Sequence, residues 1–417
     1  MTTRERALHA DRNDSLAGFR DWFVLDPSLT YLDGNSLGAL PQQTEERIAD
    51  VVHREWADRL IRSWNEGWTE LPGRAGDLIG THFLGAGPGQ VALSDSTTVN
   101  FYKLVSAALD ARADRTAIVI DPLNFPTDRY VVDGLAQSRG LHLRPVASDP
   151  VLGVTPEAVA AVVDSDTALV TLSHVDYRSG AIADLREITR IAHDAGALVV
   201  WDLSHSVGSV PVDLDAAGVD LAVGCTYKYL NGGPGAPAFL YVRRELQDLL
   251  AQPIWGWYSQ RDQFAMGPDY QPAQGIGRFL TGTPSVLAAS AVETSVAVLA
   301  EAGIERIRAK STALTSYFIE LADAYLADHG FALASPREAD ARGGHVTLTH
   351  PDAYRICRVL IEQESTVPDF RTPDGLRVGL SPLTTRFIDV WNAVDAVRRV
   401  AAAGRHLEID PRRLAVT

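Results

Sequence analysis

The sequence predicts an α/β fold, a mainly parallel sheet covered by helices on both faces, and three observations carry that prediction. Between residues 90 and 242, short runs rich in Val, Ile and Leu recur: Val91-Ala92-Leu93, Ala117 to Ile120, Ala168 to Leu172, Ala197 to Trp201, Leu221 to Gly224 and Ala238 to Val242. Strands buried under helices read this way, apolar on both faces rather than alternating. Segments of helical periodicity separate the runs; Asp184 to Ala195 reads as an amphipathic crossover helix closed by Gly196. Polar clusters then follow the runs, at Ser94 to Thr98, Asp121 to Asp128, Ser173 to Arg178, Asp202 to Ser206 and Thr226 to Asn231. Ligands of open parallel sheets bind beyond the carboxyl ends of the strands, so these clusters are expected to converge on one site.

Around that sheet the chain reads as three parts. Residues 1–68 form an N-terminal segment: an amphipathic helix and connector to about residue 30, then Tyr31 to Gly38 as a strand running into Gly/Asn turns. Pro41 opens a helix over 42–63, which ends near Trp64-Asn65-Glu66-Gly67-Trp68, two tryptophans that either anchor packing or wall an aromatic pocket. Residues 69–284 make the large domain, loop-rich from 253. Residues 285–417 make a smaller α+β domain, helical from Ser285 to about His329 and then alternating strands and helices (His345 to Thr349, Tyr354 to Gln363, Leu376 to Leu380, Arg386 to Ala403).

Composition excludes several function classes. The chain has 417 residues, 46% apolar and 22% charged, as a soluble globular protein with large cores has. A formal net charge of −15 argues against nucleic-acid or anionic-membrane partners, which need clustered Lys and Arg. Two cysteines, Cys225 and Cys357, make neither a disulfide framework nor a metal site by themselves. Met1 to Trp22 is charged throughout, unlike a signal peptide, and no apolar run reaches membrane-spanning length, so a cytoplasmic location is expected.

The chemistry centres on Cys225-Thr226-Tyr227-Lys228-Tyr229-Leu230-Asn231-Gly232-Gly233-Pro234-Gly235, set between two apolar runs. A lysine sealed there is expected to have a lowered pKa and hence the neutral amine that Schiff-base chemistry uses. Ser96 reads as an N-cap, and the free amides behind it, with the Thr97 and Thr98 hydroxyls, form an anion cradle. Taken alone, that cluster is equally well a simple cap. Neither a Gly-x-Gly-x-x-Gly nor a Walker motif is present, which disfavours a dinucleotide or nucleoside triphosphate. Asp202 leaves the strand of Leu198 to Trp201, His205 follows three residues later, and Phe125 is an aromatic able to stack on a planar ring. Each residue has an ordinary structural explanation when considered singly. Jointly, a lysine for an aldehyde, an acid for a ring nitrogen and a cradle for a phosphate favour pyridoxal 5'-phosphate.

These residues also carry a family resemblance. Asp202 to Gly208, Gly224 to Gly235, Tyr31 to Gly38, Phe125 to Asp128 and Gln263 to Met266 resemble kynureninase, a fold-type-I pyridoxal-phosphate enzyme, over nearly the whole chain. The resemblance implies Lys228 as the Schiff-base lysine, Asp202 as the ring-nitrogen partner, and Ser173, His205, Phe125 and Asp128 around the ring. It implies Thr97, Thr98, Tyr227, Trp257 and Thr283 around the phosphate, with Tyr227 or Lys228 as acid–base groups. It places Arg377 on the substrate α-carboxylate, where a guanidinium fork binds bidentately. Asn35 and Ser36 join the substrate set, while Trp64, Gly282 and Thr283 resemble the bacterial form that prefers kynurenine over its 3-hydroxy derivative. After Gly256-Trp257 the family usually has an aromatic then Gly-His, where this chain has Tyr258-Ser259-Gln260; Asp176 stands where Asn or His is commoner.

The activity so implied is hydrolysis of L-kynurenine to anthranilate and L-alanine by a homodimer. Two alternatives stand beside it: another lyase or aminotransferase of the same fold, such as a cysteine desulfurase, and a non-catalytic pyridoxal-phosphate binder. A desulfurase needs a mobile reactive cysteine, which neither Cys225 nor Cys357 suits.

Overall fold

The computed structural model describes residues 3–412. Its centre is a seven-stranded sheet ordered Val91–Ser94, Ala238–Val242, Leu221–Gly224, Leu198–Asp202, Thr167–Ser173, Ala117–Ile120 and His142–Pro145. Six of these are the predicted runs. Pairing is parallel from Leu221–Gly224 to the His142 edge, while Ala238–Val242 runs antiparallel to both of its neighbours. The seventh strand escaped the sequence reading because His142-Leu143-Arg144-Pro145 has no buried residue; an edge strand tolerates charge and a terminal proline.

The helix Leu185–Asp194 spans the predicted crossover, its N-cap Asp184 accepting from the Glu187 amide at 2.9 Å and Gly196 closing it at φ 77°. The predicted helix over 42–63 is interrupted. It is α-helical over Gln42–Asp50, π-type over Val51–Arg59 and 3-10 over Leu60–Trp64, with Leu60 at φ 53°. Periodicity averaged over such a segment cannot register a change of pitch.

A second sheet orders Ala332–Leu333, His345–Thr349, Gly375–Gly379 and Asp369–Arg371. Its core takes Val346, Leu348, Leu376 and Val378 from the strands, Phe318 and Leu321 from the helix Ile304–Tyr325, and Ala7 and Leu32 from the N-terminal segment. Thr30–Tyr31 also pairs in parallel with Thr366–Val367, so the chain's start is built into the small domain. The helix Val286–Ala302, which the sequence grouped with the small domain, buries Ala289, Val292 and Val296 in the large-domain core. Among the described residues no single helix is long and apolar enough to cross a membrane.

Candidate active site

The strand Leu221–Gly224 delivers the chain through buried Cys225 and Thr226 into a tight turn. Gly232 N donates to Thr226 O at 2.9 Å and Asn231 N to Lys228 O at 3.0 Å, with Asn231 in the left-handed region at φ 58°. The N-terminal segment braces this turn from behind: Gly38 N donates to Tyr227 O at 2.8 Å and Asn231 Nδ2 to Ala39 O at 2.8 Å. Lys228 emerges into a cavity of about 440 Å³. It is half-buried rather than sealed, because the turn carries it beyond the strand into the cavity mouth. Its Nζ lies 2.8 Å from His205 Nε2 and 5.8 Å from the centre of the Phe125 ring. Burial first, then the Lys228 charge, holds His205 well below the usual imidazole range, so His205 is a neutral partner.

Opposite stand two carboxyl groups. Asp202, 6% exposed at the end of its strand, accepts from the Ser204 amide at 2.7 Å. Asp128, from the helix Pro126–Arg139, is fully buried beside it. Burial, then the Asp202 charge and a hydrogen bond between the two groups, pushes Asp128 well above the carboxylate range. Asp128 therefore keeps a proton and hydrogen-bonds Asp202 with it. Asn124 ties this side together: its Nδ2 donates to Asp128 Oδ2 at 3.1 Å, and its Oδ1 accepts from Ser173 Oγ at 2.7 Å and Phe125 N at 2.7 Å.

At the cavity's other end is the N-terminus of the helix Thr97–Asp110, where Ser96 Oγ caps Val99 N at 3.4 Å. Thr97, Thr98, Thr281, Gly282, Thr283 and Ser285 line this end. A helix N-terminus surrounded by hydroxyls suits an anion. Asp95 also faces it, accepting from Thr281 Oγ1 at 2.9 Å and paired at 2.8 Å with Lys103, which is fully buried and also donates to Phe279 O at 2.7 Å. Burial opposes charge at Asp95, yet the Lys103 ammonium and these hydrogen bonds bring its carboxyl below the usual range.

A family profile described as the kynureninase C-terminal domain matches residues 307–397. A kynureninase of Pseudomonas fluorescens is 44% identical over 407 residues, 96% of each chain. The chain belongs to the kynureninase family. A kynureninase of Burkholderia pseudomallei (strain 1106a) is 43% identical over the same span. Solved structures give the fold: a cysteine desulfurase from Thermococcus onnurineus NA1 superposes with a TM-score of 0.80 at 19% identity, covering 93% of this chain and 98% of that one. A cysteine desulfurase from Escherichia coli gives 0.78 at 17% over 93% and 98%. Unlike a reactive thiol, Cys225 and Cys357 are both buried here, and burial raises both thiols.

Set against what the kynureninase resemblance implied, the cavity gathers Thr97, Thr98, Phe125, Asp128, Ser173, Asp202, His205, Tyr227, Lys228, Gly282 and Thr283. The remaining residues lie outside its lining. Trp257 is partly exposed, its Nε1 donating to Gln263 O at 2.8 Å. Trp64 stands one ring behind the wall, 6.1 Å from Tyr258, which does line the cavity. Arg377, Asn35 and Ser36 form a second cluster. Arg377, 1% exposed, bonds Asp369, the Tyr177 carbonyl and, at 3.1 Å, Ser36 Oγ. Asn35, with its amide turned to satisfy both neighbours, accepts from Arg377 Nε at 3.0 Å and donates to Asp33 at 3.3 Å. Where the family usually has Gly-His, Ser259 Oγ bonds Gly256 O at 2.9 Å and Gln260 Nε2 bonds Asp269 O at 3.3 Å, so the loop is closed by its own polar groups.

Sequence reasoning missed Tyr258, Tyr177, Asn124 and Lys103 as parts of the site. For Lys103 a signal existed: it stands among the buried apolar helix residues Phe101, Leu104 and Val105, where a lysine requires partners.

Proposed function

We propose that the protein hydrolyses L-kynurenine to anthranilate and L-alanine with pyridoxal 5'-phosphate held in this cavity. The carrying observation is one amine, Lys228, set between a neutral imidazole and a proton-sharing carboxyl pair, in a chain 44% identical to a kynureninase. The donor set fits the cofactor: a helix N-terminus with hydroxyls for its phosphate, Asp202 for its ring nitrogen, Phe125 for its face and Lys228 for its aldehyde. Bound there, the cofactor supplies an electron sink for charge developing at the substrate's α-carbon. Lys228 takes the α-proton and returns it, with His205 as the neutral partner that exchanges a hydrogen bond with its amine. Asp202, itself bonded by Asp128, holds a proton on the ring nitrogen. Tyr227, whose phenol burial raises, stays protonated and donates at the substrate carbonyl that water attacks. Arg377 takes the α-carboxylate, exchanging one of its present partners for it, and the reading extends to a homodimer in the cytoplasm. Exposed Trp56, Ile61, Trp255 and Phe264 support a partner subunit.

Incubation of the cofactor-loaded protein with L-kynurenine is expected to release fluorescent anthranilate and alanine in equal amounts. Borohydride reduction before peptide mapping is expected to fix the cofactor on Lys228. Cofactor bound without anthranilate release would leave a binder; label on Lys103 or Lys310 would overturn the lysine assignment.

A further inference from the structure

Three side chains of the small-domain sheet face a single turn of the large domain. His345 and Thr347 lie two apart on the strand His345–Thr349, and Thr347 pairs directly with Arg377, so the two-residue period of a strand puts all three on one face. Opposite is the turn that leaves the strand Thr167–Ser173. Thr347 Oγ1 donates to the Arg178 carbonyl, Arg377 Nη1 donates to the Tyr177 carbonyl, and the His345 ring approaches the Asp176 backbone without reaching hydrogen-bond geometry. Three consecutive peptide units are met by three small-domain residues. The donors are sealed from water, Thr347 at 4% and Arg377 at 1% exposure, where a hydrogen bond to backbone is costly to lose. Gly343 N to Gly180 O at 2.8 Å and Ile182 N to Ala341 O at 3.0 Å fasten the far side of the turn. Gly180 sits at φ 77°, with a Cβ there falling 2.8 Å from the His345 carbonyl oxygen.

The turn carries Tyr177 into the cavity wall. Its ring meets Phe125 edge to face, 5.2 Å between centres at 84°, and Phe125 in turn lies under Lys228. The side chain is half-buried and stands on a turn, beyond the sheet's ladder, so its placement depends on how the 176–178 backbone is held. We propose that Thr347 is a positioning residue which, with Arg377, holds Tyr177 as a wall of the substrate cavity, so that the small domain shapes the pocket through the backbone of this turn. The idea rests on the kynurenine-cleaving reading above. An aryl substrate packs on Tyr177 equally in ground and transition states, so displacing that wall acts on binding and leaves the chemical step alone.

Thr347→Val keeps the shape and removes the donor; Thr347→Ser keeps the donor. In the holoenzyme, Thr347→Val is expected to raise KM for L-kynurenine by roughly three- to tenfold, the scale of one neutral hydrogen bond, with kcat within about twofold of native. Thr347→Ser restores the native KM. Tyr177→Leu raises KM similarly, and adding Thr347→Val to it raises KM no further, since both act through one side chain. Hydrogen exchange read on residues 176–180 quickens in Thr347→Val. Unchanged KM with unchanged exchange, or KM effects that multiply in the double variant, would overturn the proposal. A native holoenzyme that releases no anthranilate would instead overturn the activity, and exchange across 176–180 would still decide whether Thr347 holds the turn.

Discussion

Asp202 illustrates how a neighbour decides what a residue does. A carboxylate at a strand exit was legible from Leu198-Val199-Val200-Trp201 alone, and its place in the cavity follows from that strand. That Asp128, its carboxyl raised by burial, stands beside it as a hydrogen-bonding neighbour was not legible, because the two lie 74 positions apart in the numbering of the chain and meet across two elements. Asp202→Asn is expected to retain cofactor and lose turnover by roughly two to three orders of magnitude, as removal of a preorganised electrostatic group does; near-native turnover with cofactor bound would end its assigned role. Arg377 is the other residue whose surroundings matter. Its Asp369, Ser36 and Tyr177 bonds use the guanidinium fork, so Arg377→Lys keeps the charge and loses the geometry. Affinity for L-kynurenine is expected to fall by about 1–3 kcal/mol. Unchanged KM and turnover would make Arg377 purely structural.

Elements show where the sequence sufficed and where it stopped. Strands buried on both faces carry their own signature, and six of the seven in the main sheet were read directly, while the half-exposed edge His142–Pro145 offered none. The lysine turn was recognised by its glycines, but its backing by residues 38 and 39 depends on contact between segments about 190 residues apart. A Cβ at Gly38 would fall 2.4 Å from the Lys228 carbonyl oxygen and 2.8 Å from Asn231 Cα, both backbone atoms that cannot swing aside. Gly38→Ala is therefore expected to displace the turn, destabilising the protein by about 1–3 kcal/mol and weakening cofactor binding. Thermal melting with and without added cofactor reads both effects; a native-like melt and native cofactor affinity would show the turn to be unbraced.

On the scale of the whole molecule, burial of imidazoles links stability to pH. His174, fully buried and bonded through Nδ1 to Ser206 Oγ at 2.9 Å, is driven down to about 4 by burial, with the Arg308 charge adding and Asp184 opposing. Between that value and the ordinary 6.5 the unfolded chain binds a proton that the folded one refuses, so stability falls as pH drops through the window. Asp33, raised to about 6 by burial and the Asp369 charge, works in the opposite sense over much of the same range. His174→Gln isolates one contribution. The urea-measured stability lost between pH 7 and pH 5 is expected to shrink by about 2 kcal/mol in that variant, and an unaltered loss would refute the assignment.

The runs from Val91 to Val242 and the polar clusters after them determined the parallel sheet, its strand exits and the polar residues that line the cavity beyond them. They could do so because burial on both faces and the chemistry of strand exits are written locally, within a few residues. Tertiary structure alone decided that Arg377, Asn35 and Ser36 gather behind the wall with Asp369, that Trp64 stands behind Tyr258, and that Thr347 reaches the turn bearing Tyr177. Each of those contacts joins segments far apart in the chain, and their geometry is set by how the small-domain sheet packs on the large domain, which no local pattern of residues encodes.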